Sequence, residues 1–319
     1  MRVLIIGGTG FIGQWIVRAL VDPPARNYGG ARGDEHEVRV FHRGTTTAVL
    51  PPAVAHIHGE RAELPRFAPL FRAWAPEVVL DTFAYNRDDL ALLNRATEKI
   101  PCRFVILSSM DVYRAYGIYC RLEAGAVETR MFDENAPLRG VLYPYRKNAD
   151  SVDDLMYRYD KIPVEQFALN EMNRPVTILR LGKVYGPGDP QRHAQDYLEQ
   201  IRRGGIRLSK ERSEWRWSRT YVENAASAVA LAMAARGDAS RIYNVADEPV
   251  PTEREWIGAV ARANGCEAEI EISESFEPAD RLYEWRQQLC ADTTRIRQEL
   301  GWREKFDLEE SLRRTFAGA

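Results

Sequence analysis

The chain has 319 residues, 44 Lys plus Arg against 46 Asp plus Glu, and a formal net charge of -2. That length can bury a large core and suits one big domain beside a smaller one; the balanced charge, with no long single-sign run, excludes a basic stripe for nucleic acid and points to a small-molecule partner. Cys102, Cys120, Cys266 and Cys290 lie far apart with no CxxC, which argues against a disulfide framework or a zinc site and for reduced thiols in a cytoplasmic setting.

The first element is a strand. Val3 to Ile6 form a continuous apolar run, the pattern of a parallel strand buried on both faces, and they start so early that no signal peptide is expected. Glycines follow at 7, 8, 10 and 13. From there Phe11, Ile12, Trp15, Ile16, Ala19 and Leu20 trace one face of a helix. Gly7 suits a tight turn, Gly10 leaves no side chain between backbone and ligand, and Gly13 lets helix and strand pack closely. Exposed N–H groups and the positive end of the helix dipole then favour an anion, with a dinucleotide pyrophosphate as the expected occupant.

Further strand-like runs are Val38 to Phe41, Val78 to Leu80, Phe104 to Leu107 and Val176 to Leu179, with helical patterns between them. Such alternation specifies an α/β fold, a doubly wound parallel sheet with helices on both faces. Asp22 to Glu35 is too polar and too rich in Pro and Gly to extend the first helix and is read as a surface loop. After Lys183 the alternation weakens. Ala194 to Arg203 and Tyr221 to Ala235 read as helices, Arg241 to Asp247 as a late strand, and Thr252 with Glu255 as a capping box opening a helix that ends by Gly265. Residues 1–182, joined by about 221–246, are therefore expected to form the dinucleotide domain, and 183–218 with 247–319 a smaller substrate domain. The longest apolar stretch, Ala225 to Ala235, is too short to span a bilayer, so no membrane partner is expected.

Tyr157 to Lys161, YRYDK, sits in a helical pattern, and on one helix positions 157 and 161 share a face. An ammonium beside a phenol stabilises the phenolate, so Tyr157 is expected to exchange a proton with a substrate hydroxyl. The strand running into Ser108 and Ser109 brings hydroxyls to the carboxyl end of the sheet, where Ser109 would hydrogen-bond the substrate oxygen. His36, His42, His56, His58 and His193 have no HExxH-type spacing, and no metal site is expected.

Together GGTGFIG, LSSMDVY, YRYDKIPVE, LRLGKVYGPGD, YVENAASAVALA, YNVADEP and DTTRIRQELGW resemble the NAD-dependent epimerase/dehydratase group of the extended short-chain dehydrogenases/reductases. The resemblance runs through nearly the whole chain. It implies a Rossmann fold and a Ser109, Tyr157 and Lys161 triad, with Lys161 also holding the nicotinamide ribose. It implies further that Gly7, Thr9, Gly10, Phe11, Ile12 and Gly13 form the pyrophosphate turn, that Glu60 lies near the adenine, that Thr82, Phe83, Ala84 and Ser108 pass under the cofactor, and that a homodimer is compatible with the fold.

Several positions depart from that pattern. His42 and Arg43 stand where an NAD-binding member has Asp after the second strand; a guanidinium suits a ribose 2′-phosphate, so NADP is expected over NAD. Lys183 replaces an Asn that contacts the substrate diphosphate, and Trp217 replaces an arginine, with Arg216 and Arg219 flanking it. Arg281 alone matches the second diphosphate arginine. Trp215 and Trp217 are read as packing a domain junction, with stacking on a ligand ring as the alternative. Dehydratases place Asp-Glu after the triad hydroxyl, where this chain has Met110 and Asp111, so elimination chemistry is not expected. The resulting expectation is an NAD(P)-dependent epimerase or oxidoreductase acting on a secondary hydroxyl or carbonyl of a nucleotide sugar or sugar-like compound, with Asp111, Lys183, Arg219 and Arg281 on the substrate. Two alternatives remain: an NADP-dependent reductase of a non-nucleotide carbonyl compound, and a non-catalytic, dinucleotide-sensing or RNA-binding member, to whose chloroplast relatives VFHRG is similar.

Overall fold

A computed structural model describes residues 1–21, 36–46, 48–274 and 278–317; the loop expected over 22–35 lies outside them. Val3 and Ile5 face one hydrophobic core while Leu4 and Ile6 face another, which is why this strand carries no polar residue between them. That strand, β1 (Arg2–Ile6), lies inside a seven-stranded sheet with β2 (Glu37–His42), β3 (Ala55–His58), β4 (Val78–Asp81), β5 (Arg103–Ser109), β6 (Val176–Leu181) and a final strand, Arg241–Val245. The order from one edge is the final strand, β6, β5, β4, β1, β2, β3, and every pairing is parallel. The strand order reverses between β1 and β4. A ligand crevice forms at such a point, outside the carboxyl ends of the strands.

Helix α1 (Phe11–Val21) packs beside the alanine-rich helix Val222–Ala234 on one face of the sheet, and helices Arg87–Ala96 and Lys161–Asn170 cover the other. The capping box of Thr252 and Glu255 opens helix Glu253–Ala263, whose Trp256, Ile257 and Val260 join Leu208 and Leu312 in a separate core outside the sheet. The two tryptophans read as a junction divide. Trp215 is buried and stacked on Tyr119 at 4.6 Å, whereas Trp217 lines the cleft between the sheet and this outer core.

Candidate active site

A cleft of about 750 Å³ opens at the carboxyl ends of the strands, lined at one end by Gly7, Gly10, Phe11, Ile12 and Gly13. Gly7 has φ +87°, and a Cβ there would meet Thr82 Oγ1 at 2.5 Å. At Gly13 a Cβ would meet the Gly7 carbonyl oxygen at 2.4 Å, so α1 approaches the turn only because that position lacks a side chain. Gly10 differs, since its nearest neighbour would be at 3.6 Å. Open space above a turn at a helix N-terminus fits a pyrophosphate, and the residues present suit a dinucleotide cofactor. Thr9 is buried in the turn.

Thr82 and Phe83 line the same end; Thr82 Oγ1 donates to the carbonyls of Ile6 and Gly7 at 2.9 and 3.1 Å. Ala84 is buried and presents its carbonyl to Lys161. Below them Asp81 is gripped by both terminal nitrogens of Arg61, and its Oδ1 accepts the Phe83 N–H at 2.8 Å, which holds this strand end in place. His42, Arg43 and Glu60 lie at or beyond the ends of β2 and β3, outside the cleft lining. Arg43 and Glu60 are exposed, and His42 hydrogen-bonds His56 across the strands at 2.8 Å. Among the described residues no cluster of His, Cys, Asp or Glu is arranged to hold a metal.

Lys161 sits on the cleft floor, its Nζ donating to the carbonyls of Ala84 at 2.6 Å and Leu107 at 3.0 Å. Burial pushes its pKa down to about 8 against the attraction of Asp81 and Asp111. Ser109 lines the cleft, while the Ser108 hydroxyl is taken by Glu165 at 2.6 Å.

Tyr157 departs from the expectation. The helix that Tyr157 and Lys161 were to share is broken at Tyr159 and Asp160: Leu155–Arg158 is one short turn, and the next helix begins at Lys161. Asp160 caps that second helix, accepting the Ile162 N–H at 3.0 Å. Pro163 gives the local reason. In a first turn its missing N–H costs nothing, but in a helix continuing from Tyr157 its ring would strike the carbonyl of Tyr159. Tyr157 is half-buried outside the cleft lining, its ring 4.6 Å from the Arg146 guanidinium.

Other tyrosines take the wall. Tyr85, Tyr116, Tyr145 and Tyr159 all line the cleft together with Asp111. Tyr145 and Tyr159 donate to Asp111 Oδ2 at 3.0 and 3.1 Å, and the Tyr145 hydroxyl, its own proton given to Asp111, accepts from the Tyr116 hydroxyl at 3.0 Å. Burial raises the Asp111 pKa against the pull of Arg139 and both phenols, and burial beside Asp111 raises that of Tyr159. On the opposite wall Lys183 stands over the Trp217 ring at 4.1 Å with its pKa pushed down to about 7 by burial and the Arg219 charge. His193 there is oriented by Asp189, Nδ1 to Oδ2 at 2.8 Å. Arg219 and Arg281 do not reach the cleft. Arg219 is buried and bound to Glu253 at 2.6 Å, and Arg281 is exposed outside the lining. The cleft tyrosines and His193 carry no motif of their own; Asp160, as a helix cap, and Pro163 were the signals that could have moved attention from Tyr157.

Residues 146–246 match the model of the NAD dependent epimerase/dehydratase family. A 2'-dehydrokanamycin reductase of Streptomyces kanamyceticus is 27% identical over 97% of this chain and 77% of that protein. A dTDP-glucose 4,6-dehydratase of Streptomyces griseus is 24% identical over 99% of this chain and 93% of its own length. Among solved structures, dTDP-glucose 4,6-dehydratase from Bacillus anthracis in complex with NAD superposes with a TM-score of 0.68 at 18% identity, covering 99% of this chain and 95% of that one. With the seven-stranded parallel sheet and the glycine turn in place, the chain shares the fold of these NAD-binding structures and, over residues 146–246, resembles the NAD dependent epimerase/dehydratase family.

Proposed function

We propose that the chain is an NAD(P)-dependent oxidoreductase interconverting a carbonyl and a secondary hydroxyl on a sugar-like compound that carries no nucleotide. The observation that carries this reading is the make-up of the substrate wall: the arginines expected for a diphosphate lie outside it, while a carboxyl group and four phenols occupy it. Phenols and carboxyls suit hydroxyl-rich substrates, because each both donates and accepts hydrogen bonds when protonated. The similarity to a 2'-dehydrokanamycin reductase supports the same substrate class.

A bound dihydronicotinamide supplies the hydride. The residues of this chain do the rest. The turn at Gly7, Gly10 and Gly13 seats the pyrophosphate, and Lys161, fastened to two strand-end carbonyls, holds the nicotinamide ribose beside Ser109. Ser109 orients the substrate oxygen. Arg43, exposed past the end of β2, favours a 2′-phosphate and hence NADP.

The reading is tested by titrating the protein with NADPH and NADH, then following NADPH oxidation with 2′-dehydrokanamycin beside turnover of dTDP-glucose. Binding of NADPH, its affinity lowered about tenfold in Arg43→Ala with NADH unaffected, and reduction of the aminoglycoside ketone are expected. Turnover confined to the sugar nucleotide overturns the substrate class. Salt-sensitive RNA affinity without dinucleotide binding overturns the enzyme reading.

A further inference from the structure

Tyr159 stands two residues from the tyrosine that the YRYDK spacing singles out, and its surroundings are those of a proton-transfer group. Its hydroxyl donates to Asp111 Oδ2 at 3.1 Å and lies in hydrogen-bond contact with Ser109; its ring is 5.9 Å from Lys161 Nζ. Asp111 Oδ1 is fully enclosed and has no hydrogen-bond partner among the described residues, although the side chain lines the cleft. A carboxylate oxygen left that way is costly, and protonation or a ligand hydroxyl relieves it. From Oδ2 the chain continues through Tyr145 to Tyr116, also on the cleft wall. Tyr157 has none of these neighbours; its ring lies against the Arg146 guanidinium, which also donates to its backbone carbonyl.

We propose that protons pass to and from the substrate oxygen through the Tyr159 hydroxyl and the Asp111 carboxyl, and not through Tyr157. This rests on the oxidoreductase reading above. In the reducing direction the carbonyl carbon takes the hydride and its electron pair from the dihydronicotinamide, which is thereby oxidised. The Tyr159 O–H bond breaks, and its proton bonds to the carbonyl oxygen. As Tyr159 turns its proton to the substrate, the Oδ2–H bond of the Asp111 carboxylic acid breaks and that proton passes to the Tyr159 oxygen; the resulting carboxylate takes the Tyr145 proton on Oδ2, Tyr116 reprotonates Tyr145, and water reprotonates Tyr116. Oxidation runs the same steps backward. Tyr159 is the catalytic residue and Asp111 acts through it.

The charged and titratable groups facing Asp111 besides these phenols are Arg139, Asp160, Lys161 and Cys120. Arg139 contacts the Asp111 backbone carbonyl and is paired with Asp160 at 3.2 Å. Lys161 is fastened to two carbonyls. None of them contacts the Asp111 carboxyl directly, so the phenols are its immediate partners.

The test uses the full chain loaded with NADP and labelled with ¹³C at the aspartate carboxyls. NMR titration of the wild type, Asp111→Asn, Tyr159→Phe and Tyr157→Phe assigns the Asp111 signal by its loss in Asp111→Asn. That signal is expected to titrate above the ordinary aspartate range, to move higher still in Tyr159→Phe and to stay put in Tyr157→Phe. In parallel, NADPH affinity and turnover of 2′-dehydrokanamycin are measured. Tyr159→Phe and Asp111→Asn are expected to lower kcat about 100-fold or more, with NADPH affinity within about threefold of wild type, and Tyr157→Phe to leave kcat within about twofold. An Asp111 signal that titrates with the bulk aspartates, or a Tyr157→Phe loss matching that of Tyr159→Phe, overturns the proposal while leaving the oxidoreductase reading intact. Failure of the wild type to bind either dinucleotide overturns both. Melting temperatures of the NADP-loaded variants separate misfolding from lost chemistry.

Discussion

Arg139 and Asp160 meet at 3.2 Å with both side chains fully shielded from solvent. The same Asp160 carboxylate accepts the N–H groups of Ile162 and Tyr143, so one buried charge ties the start of the Lys161 helix to the segment that carries Tyr145 into the cleft. Position 160 thereby governs both the cofactor-facing lysine and the phenol wall.

Asp160→Asn keeps a capping side chain but leaves the Arg139 charge buried without its counterion. A loss of about 3–5 kcal/mol in folding stability is expected, because an uncompensated buried charge costs more than its pair contributes. Urea unfolding of the variant against wild type measures it.

Gly13→Ala and Gly10→Ala should separate folding from binding. The Gly13 substitution drives a methyl into the Gly7 carbonyl and is expected to cost about 1–3 kcal/mol as well as dinucleotide affinity. At Gly10 the methyl meets only an ordinary contact at 3.6 Å, so stability should hold while NADPH affinity falls. Thermal melting and fluorescence titration of both variants check the contrast.

Lys161 carries a pKa lowered to about 8 by burial, so the folded state binds its proton less readily than the unfolded chain does. Stability assigned to this group is present above its unfolded pKa of about 10.4 and is lost as pH falls through about 8. The stability of wild type relative to Lys161→Met should therefore decline from pH 10.5 to 8 and level off below. Paired denaturation curves across that range test the sign.

Arg219→Met addresses the residue expected on the substrate. Because its guanidinium is buried against Glu253, the substitution removes the nearer of that carboxylate's two charge partners, with Arg212 still 3.9 Å away, and should cost about 1–3 kcal/mol of stability. NADPH affinity and KM measured where the variant remains folded should stay within about threefold of wild type; a KM raised tenfold or more would put Arg219 back on the substrate.

Periodicity and glycine spacing were enough for the buried strands, since a strand buried on both faces must be apolar at every position, as Val3 to Ile6 are, and a turn like that at Gly7 and Gly13 admits no side chain; the edge strand Ala55–His58, exposed at three of its four positions, carries no such run and escapes that reading. These are local constraints, written in consecutive residues. The helical continuity assumed for Tyr157 and Lys161 was also a local matter, and there Asp160 and Pro163 argued against it in the sequence itself.

What tertiary structure alone decided is the company each side chain keeps. Asp111 follows β5, Tyr116 lies on the helix Arg114–Tyr119 after it, and Tyr145 and Tyr159 come from two later segments, yet all four reach one cleft wall. Arg219, three residues from Arg216 and two from Trp217, is withdrawn behind that cleft by Glu253, 34 residues further along the chain. Strand and turn patterns follow from backbone geometry, which each short segment carries by itself. Side-chain partnerships between distant segments depend on how the packed elements turn their faces, and no spacing in the sequence encodes that.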